Sequence, residues 1–153
     1  MTSKKLLAAA VLAGLVGCAD MGGVRMMAHT PGKPQVQRCN DPTCTVEIVV
    51  DATSTPCKIT SPTKRDGVSV KDGIVTVIWE IKPSSYVFDP KGGIDFPGAP
   101  PNAFTNGKAN GNKFTVTDNN NVEDHKGVHP YKISVQSADG SKTCQLDPFV
   151  VNE

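Results

Sequence analysis

Aromatic residues are scarce in this chain. Five Phe, two Tyr and one Trp make up 5% of its 153 residues. A domain with so few rings has little large apolar area to bury, so its core must lean on aliphatic side chains and on cross-links. Long apolar runs are missing as well. The longest, Leu6 to Val16, falls short of the roughly 20 residues that a membrane-spanning helix requires. Downstream of it no stretch of ten or more residues carries amphipathic helical spacing, which argues against an α/β arrangement. Clustered positive charge is absent: beyond the first residues the only adjacent basic pair is Lys64-Arg65. Nucleic-acid binding needs a concentrated basic face, so no nucleic-acid partner is expected.

Catalytic signatures are missing too. The chain contains no Gly-x-Ser-x-Gly elbow, no His-Glu-x-x-His and no phosphate-cradling glycine loop. Its three histidines are His29, His125 and His129, so acid–base chemistry would have to be assembled on a single loop. The expectation is that the protein is not an enzyme.

What is present begins with "KKLLAAAVLAGLVGCADMGG", residues 4 to 23. Two lysines followed by a short apolar run and small residues form the charged and apolar regions of a secretory signal. Leu15-Val16-Gly17-Cys18 resembles the lipobox of bacterial lipoproteins: an aliphatic residue, a permissive one, a small one and a cysteine. The resemblance implies lipid attachment to the Cys18 thiol, cleavage before it and acylation of the new amino terminus. Each buried methylene contributes about 0.8 kcal/mol, and stable anchoring takes more than one chain. The membrane would then be a partner through that lipid anchor. In Gram-negative lipoproteins Asp directly after the lipidated cysteine favours inner-membrane retention. Here Ala19 holds that position and Asp20 comes one later, so the resemblance implies an outer-membrane protein facing the periplasm.

Removing residues 1–17 leaves 136, enough for one domain, with 14 Lys and Arg against 15 Asp and Glu. Residues 18–38 mix Gly, Pro, Gln and Met without a period and read as a flexible tether, with a reach of roughly 25 Å. Met21, Met26, Met27 and His29 lie in it. Thioether and imidazole groups are soft ligands suited to copper, so periplasmic copper or zinc handling is the alternative to a binding or structural module.

From residue 39 the period becomes 2. "TVEIVV" puts Val46, Ile48 and Val50 on one face, and "IVTVIWEI" puts Val75, Val77, Trp79 and Ile81 on a wholly apolar face, marking a central strand with Trp79 as core anchor. Further short runs lie at 86–88, 94–96, 114–117, 131–137 and 148–151, separated by Pro, Gly, Asn and Asp. The pattern predicts a single antiparallel β-sandwich over 39–153, immunoglobulin-like or cupredoxin-like. Asp139-Gly140 is a hairpin signal between the Tyr131 strand and the last one. Pro148 removes a ladder donor and predicts a bulge or an edge position for that last strand.

Four further cysteines, Cys39, Cys44, Cys57 and Cys144, form an even set suited to disulfides in an oxidising compartment. Three connectivities are open. The preferred one joins Cys39 to Cys44 around a tight loop, and Cys57 to Cys144 as a long-range staple. Four thiolates on zinc would lack a Cys-x-x-Cys pair. A blue-copper centre would need His and Met soon after the late cysteine, and Cys144 is followed by neither.

The loop 118–130, "DNNNVEDHKGVHP", gathers Asp118, Glu123, Asp124, His125 and His129 as candidate ligands for a divalent ion. Gly127 and Pro130 forbid a regular helix through both histidines, and the loop lacks the glycine of a calcium EF-hand. The alternative is a solvated hairpin loop. Finally, "FTVTDNNN", "YKISV" and the ending Asp147-Pro148-Phe149-Val150-Val151-Asn152 resemble small exported β-domains of Gram-negative bacteria. That likeness implies a fold and no activity.

Overall fold

A computed structural model describes residues 36–54, 57–60 and 67–153. They form thirteen strands: β1 Val36–Cys39, β2 Thr43–Asp51, β3 Lys58–Thr60, β4 Gly67–Val70, β5 Gly73–Lys82, β6 Tyr86–Phe88, β7 Ile94–Asp95, β8 Phe104–Asn110, β9 Lys113–Asn120, β10 Gly127–Pro130, β11 Lys132–Ser137, β12 Thr143–Leu146 and β13 Phe149–Asn152. No α-helix occurs among the described residues, and a 3-10 turn covers Glu123–His125. The fold is all-β.

Three sheets result. The largest runs β3-β2-β5-β9-β8, a second runs β1-β4-β13-β10, and a third runs β12-β11-β6 with β7 also paired to β11. Strand β5 is central, as its alternation requires: Val75, Val77, Trp79 and Ile81 are buried, while Ile74 on the other face is 58% exposed. Its neighbour β2 buries Val46, Ile48 and Val50 in the same rhythm. Alternation of this kind fixes register, because a slip of one residue would turn the apolar set outward.

The sheets are mixed rather than antiparallel. β2 and β5 run parallel, as do β1 with β4 and β4 with β13. The cause is the excursion between β2 and β5: the chain passes through β3 and then leaves for β4 in another sheet before returning. Three other expectations change with this topology. The Asp139-Gly140 turn joins β11 to β12, so Cys144 sits in β12 and not in the final strand. That final strand, β13, is interior, between β4 and β10. Pro148 lies ahead of it, where its missing N–H costs no ladder bond, and its carbonyl accepts the Tyr131 N–H at 3.0 Å. Val36, Gln37 and Arg38, read above as the end of the tether, belong to β1, paired with Gly67–Ser69 of β4.

The few aromatic rings are concentrated rather than spread. Trp79, Phe88, Phe96, Phe104, Phe114 and Tyr131 form one connected set, with Trp79 5.5 Å from Tyr131 and 6.4 Å from Phe114, centroid to centroid. Clustering makes each ring serve several neighbours, so a low aromatic count still gives a continuous core.

Two disulfides complete the frame, Cys39–Cys44 and Cys57–Cys144, the pairing preferred above. The second spans 87 residues and ties the segment leading into β3 of the large sheet to β12 of the third sheet. In the chain-entropy account a loop of that size is worth roughly 4–5 kcal/mol.

Candidate functional site

The alternation of β9 carries Phe114, Val116, Asp118 and Asn120 inward in turn. Two apolar residues are followed by two polar ones, and the polar pair is completely buried. β13 answers from the neighbouring sheet with Asn152, also buried. Its Nδ2 donates to Asp118 Oδ1 and to the His125 carbonyl, each at 3.0 Å. Asn120 Nδ2 donates to the carbonyls of Val70 at 3.0 Å and Glu153 at 3.2 Å. The Ser69 hydroxyl donates to Glu153 Oε1. The end of the chain is thus held on β4 and β9 by side chains.

Three buried oxygens in this cluster have no hydrogen-bond partner among the described residues: Asp118 Oδ2, Asn120 Oδ1 and Asn152 Oδ1. Burial pushes the Asp118 carboxyl up to about 7, against the opposing pull of the Asn152 hydrogen bond and the His125 charge. An acid in such surroundings is easier to keep neutral than ionised.

The two histidines of the 118–130 segment serve the backbone. His125 turns Nδ1 toward the Asn119 carbonyl at 2.7 Å and Nε2 toward the Pro101 carbonyl at 3.2 Å. His129 is buried, with Nε2 2.8 Å from the His125 carbonyl and its ring edge-on to Phe104 at 5.3 Å. Asp124 stands exposed in the 3-10 turn, on the opposite side of the burial divide from Asp118. Glu123 is exposed in the same turn, and among the described residues no group of three or more His, Cys, Asp and Glu is placed to hold a metal ion. The segment is also less of a loop than its composition implies, since residues 118–120 end β9 and 127–130 form β10. Cys18, Met21, Met26, Met27 and His29 lie outside the described residues.

No family model matches this chain, and no curated protein matches it. Its chemistry therefore stands on its own residues. Besides the polar cluster these include a cavity of about 300 Å³ beside β8 and β9, walled by Ile94, Phe96, Pro100, Phe104 and Phe114, with Asp95 as its charged residue. Phe96 and Phe104 stack with centroids 4.0 Å apart. Two successive turns, Ala99 N–H to Phe96 O and Ala103 N–H to Pro100 O, shape the wall between them. Prolines at 97, 100 and 101 restrict that segment, so the wall is preformed.

Phe104, Asn120 and Asn152 are the residues whose site roles sequence reasoning missed. A signal existed for Asn120: continuing the alternation of "FTVT" through "DNNN" points Asp118 and Asn120 into the core. Phe104 gave less, because the Asn106-Gly107 pair beside it reads as a turn, whereas β8 absorbs it as a bulge.

Proposed function

We propose that the chain is a membrane-anchored lipoprotein of the cell envelope whose domain is a non-catalytic binding or structural module, folded as one β-sandwich of immunoglobulin-like or cupredoxin-like type. The observation that carries this reading is the division of the cysteines. Four of the five pair with each other, which leaves Cys18, the cysteine of the lipobox, for lipid. Disulfides also fit export to an oxidising compartment, and Ala19 after Cys18 fits the periplasmic face of an outer membrane.

A non-catalytic role is supported by how the histidines are used, since both rings of the 118–130 segment face backbone carbonyls. The Phe96–Phe104 cavity is the preferred place for a small group of an envelope protein partner. The reading is tested by metabolic acyl labelling and density separation of membranes. Wild type is expected to label and to sediment with outer membranes. Cys18→Ser is expected to lose both label and membrane association while keeping both disulfides on non-reducing peptide mapping. Label retained by Cys18→Ser, or recovery of wild type in inner membranes, would overturn it.

A further inference from the structure

We infer that Asp118 is held in the folded domain as a neutral acid whose Oδ2 proton is donated to the side-chain carbonyl of Asn152, closing β9 against β13 with a proton that leaves as the medium turns alkaline. The inference does not depend on the lipid anchor. It comes from an account of donors and acceptors at the three unpartnered oxygens.

Neither amide can be turned to relieve the deficit. Asn152 Nδ2 serves two acceptors, Asp118 Oδ1 and the His125 carbonyl, and a flip would set oxygen against oxygen at both. Asn120 Nδ2 is fixed in the same way between the Val70 and Glu153 carbonyls. Of the three orphan atoms, Asp118 Oδ2 alone can become a donor, because a carboxyl gains an O–H on protonation whereas an amide oxygen remains an acceptor. With that proton in place, acid and amide exchange two hydrogen bonds: Asn152 Nδ2–H to Asp118 Oδ1, and Asp118 Oδ2–H to Asn152 Oδ1. One proton satisfies two of the three orphans. Asn120 Oδ1, one pleat along the same face of β9, remains as the cluster's outlying acceptor.

Ionisation reverses the balance. A carboxylate there has no solvent exposure, one side-chain donor, from Asn152 to Oδ1, and none to Oδ2. Leaving such a group unpaired inside the protein is costly. The titratable neighbours are His125 in the connection between β9 and β10, His129 on β10 and Glu153 at the end of β13. The Lys126–Asp72 pair, 3.4 Å apart, stays partly in solvent. Of these, His125 acts on Asp118 and favours the carboxylate, but desolvation is the larger effect.

The sign of the linkage follows. The unfolded chain releases this proton near the usual aspartate value of about 3.9, whereas the folded domain keeps it up to about 7. Between those values the native state binds more protons than the unfolded one, so this group's contribution makes stability fall as pH rises through the window and level off above it. The clasp is therefore closed in acid. Opening it loosens the last strand and the 121–126 connection, since Asn152 also holds the His125 carbonyl.

Asp118→Asn is the decisive variant, because an amide at 118 supplies the acceptor and the donor of the neutral acid without a titratable proton. Thermal unfolding is measured at pH 5 and pH 8.5 for both proteins, and the Asp118 carboxyl is titrated by carbon NMR in wild type. The expected results are a carboxyl that titrates near neutrality and a melting-temperature advantage of Asp118→Asn over wild type that widens by several degrees between pH 5 and pH 8.5. A carboxyl titrating at the ordinary aspartate value would overturn the inference. So would an Asp118→Asn protein less stable than wild type at pH 8.5. Stabilisation of wild type at that pH by added Ca²⁺ or Na⁺, absent in the variant, would equally overturn it by putting a cation where the proton is placed.

Discussion

Trp79 donates its indole N–H to the phenolic oxygen of Tyr131 at 3.1 Å. Both side chains are buried to within 1% of their surface, one on the central strand of the large sheet and the other just ahead of β11. Each ring thus contributes apolar area, and the buried indole N–H finds its acceptor in the phenolic oxygen. Burial also pushes the Tyr131 phenol upward from its ordinary ionisation value, so it stays neutral in the fold.

Replacing Tyr131 by Phe keeps the ring and removes the acceptor, leaving a buried N–H unpaired. The expected loss is about 1–3 kcal/mol. Trp79→Ala, which removes the ring at the centre of the aromatic set, is expected to lose about 3–5 kcal/mol. Urea unfolding reads both. Tryptophan emission should be blue-shifted in native wild type and in Tyr131→Phe; a red-shifted native spectrum would contradict burial of the indole.

Gly67 pairs with Phe149 where β4 and β13 run side by side. A Cβ at Gly67 would press on the Phe149 carbonyl oxygen, closer than real contacts allow. Gly67→Ala is therefore expected to destabilise the domain severely, through displacement of backbone rather than of a movable side chain. At Gly92 a Cβ would meet nothing within 4 Å, and Gly92→Ala should change unfolding by less than about 0.5 kcal/mol. Comparable losses for the two variants would refute the close approach.

The two disulfides should differ in worth. Replacing Cys57 and Cys144 together by Ser opens a span of 87 residues and should cost roughly 4–5 kcal/mol, against about 2 kcal/mol for the pair Cys39 and Cys44, five residues apart. Equilibrium unfolding of the two double variants gives the comparison directly. The reverse order would mean that residual structure in the unfolded chain, and not loop entropy, sets the effect.

Much of the fold is legible where alternation is long. Residues 74–81 place β5 at the centre because every second side chain is apolar, and Val46, Ile48 and Val50 do the same for β2. β4 is illegible for the opposite reason: Gly67, Val68, Ser69 and Val70 are all buried, so no face is left polar and no period shows. β1 and β10, each four residues long, are too short to carry one. Parallel pairing is hidden because turn-forming residues between strands suggest hairpins, while the excursion through β3 and β4 is set by which sheet each strand joins. In the candidate site the inward placement of Asp118 and Asn120 follows from the period of β9. Asn152, the partner of Asp118 and more than thirty residues away from it in sequence, follows only from the topology.

The Cys39–Cys44 bond has a mechanical consequence. Any pull on the chain ahead of Val36 meets β1 first, and β1 is held along one side by four residues of β4. If those hydrogen bonds give way, β1 peels from β4, but its residues are already extended and little length is gained. The disulfide then hands the load to β2, seated between β3 and β5, and shields residues 40–43 from tension altogether. Past Cys39 the path of the load is covalent, through sulfur, until it reaches the large sheet.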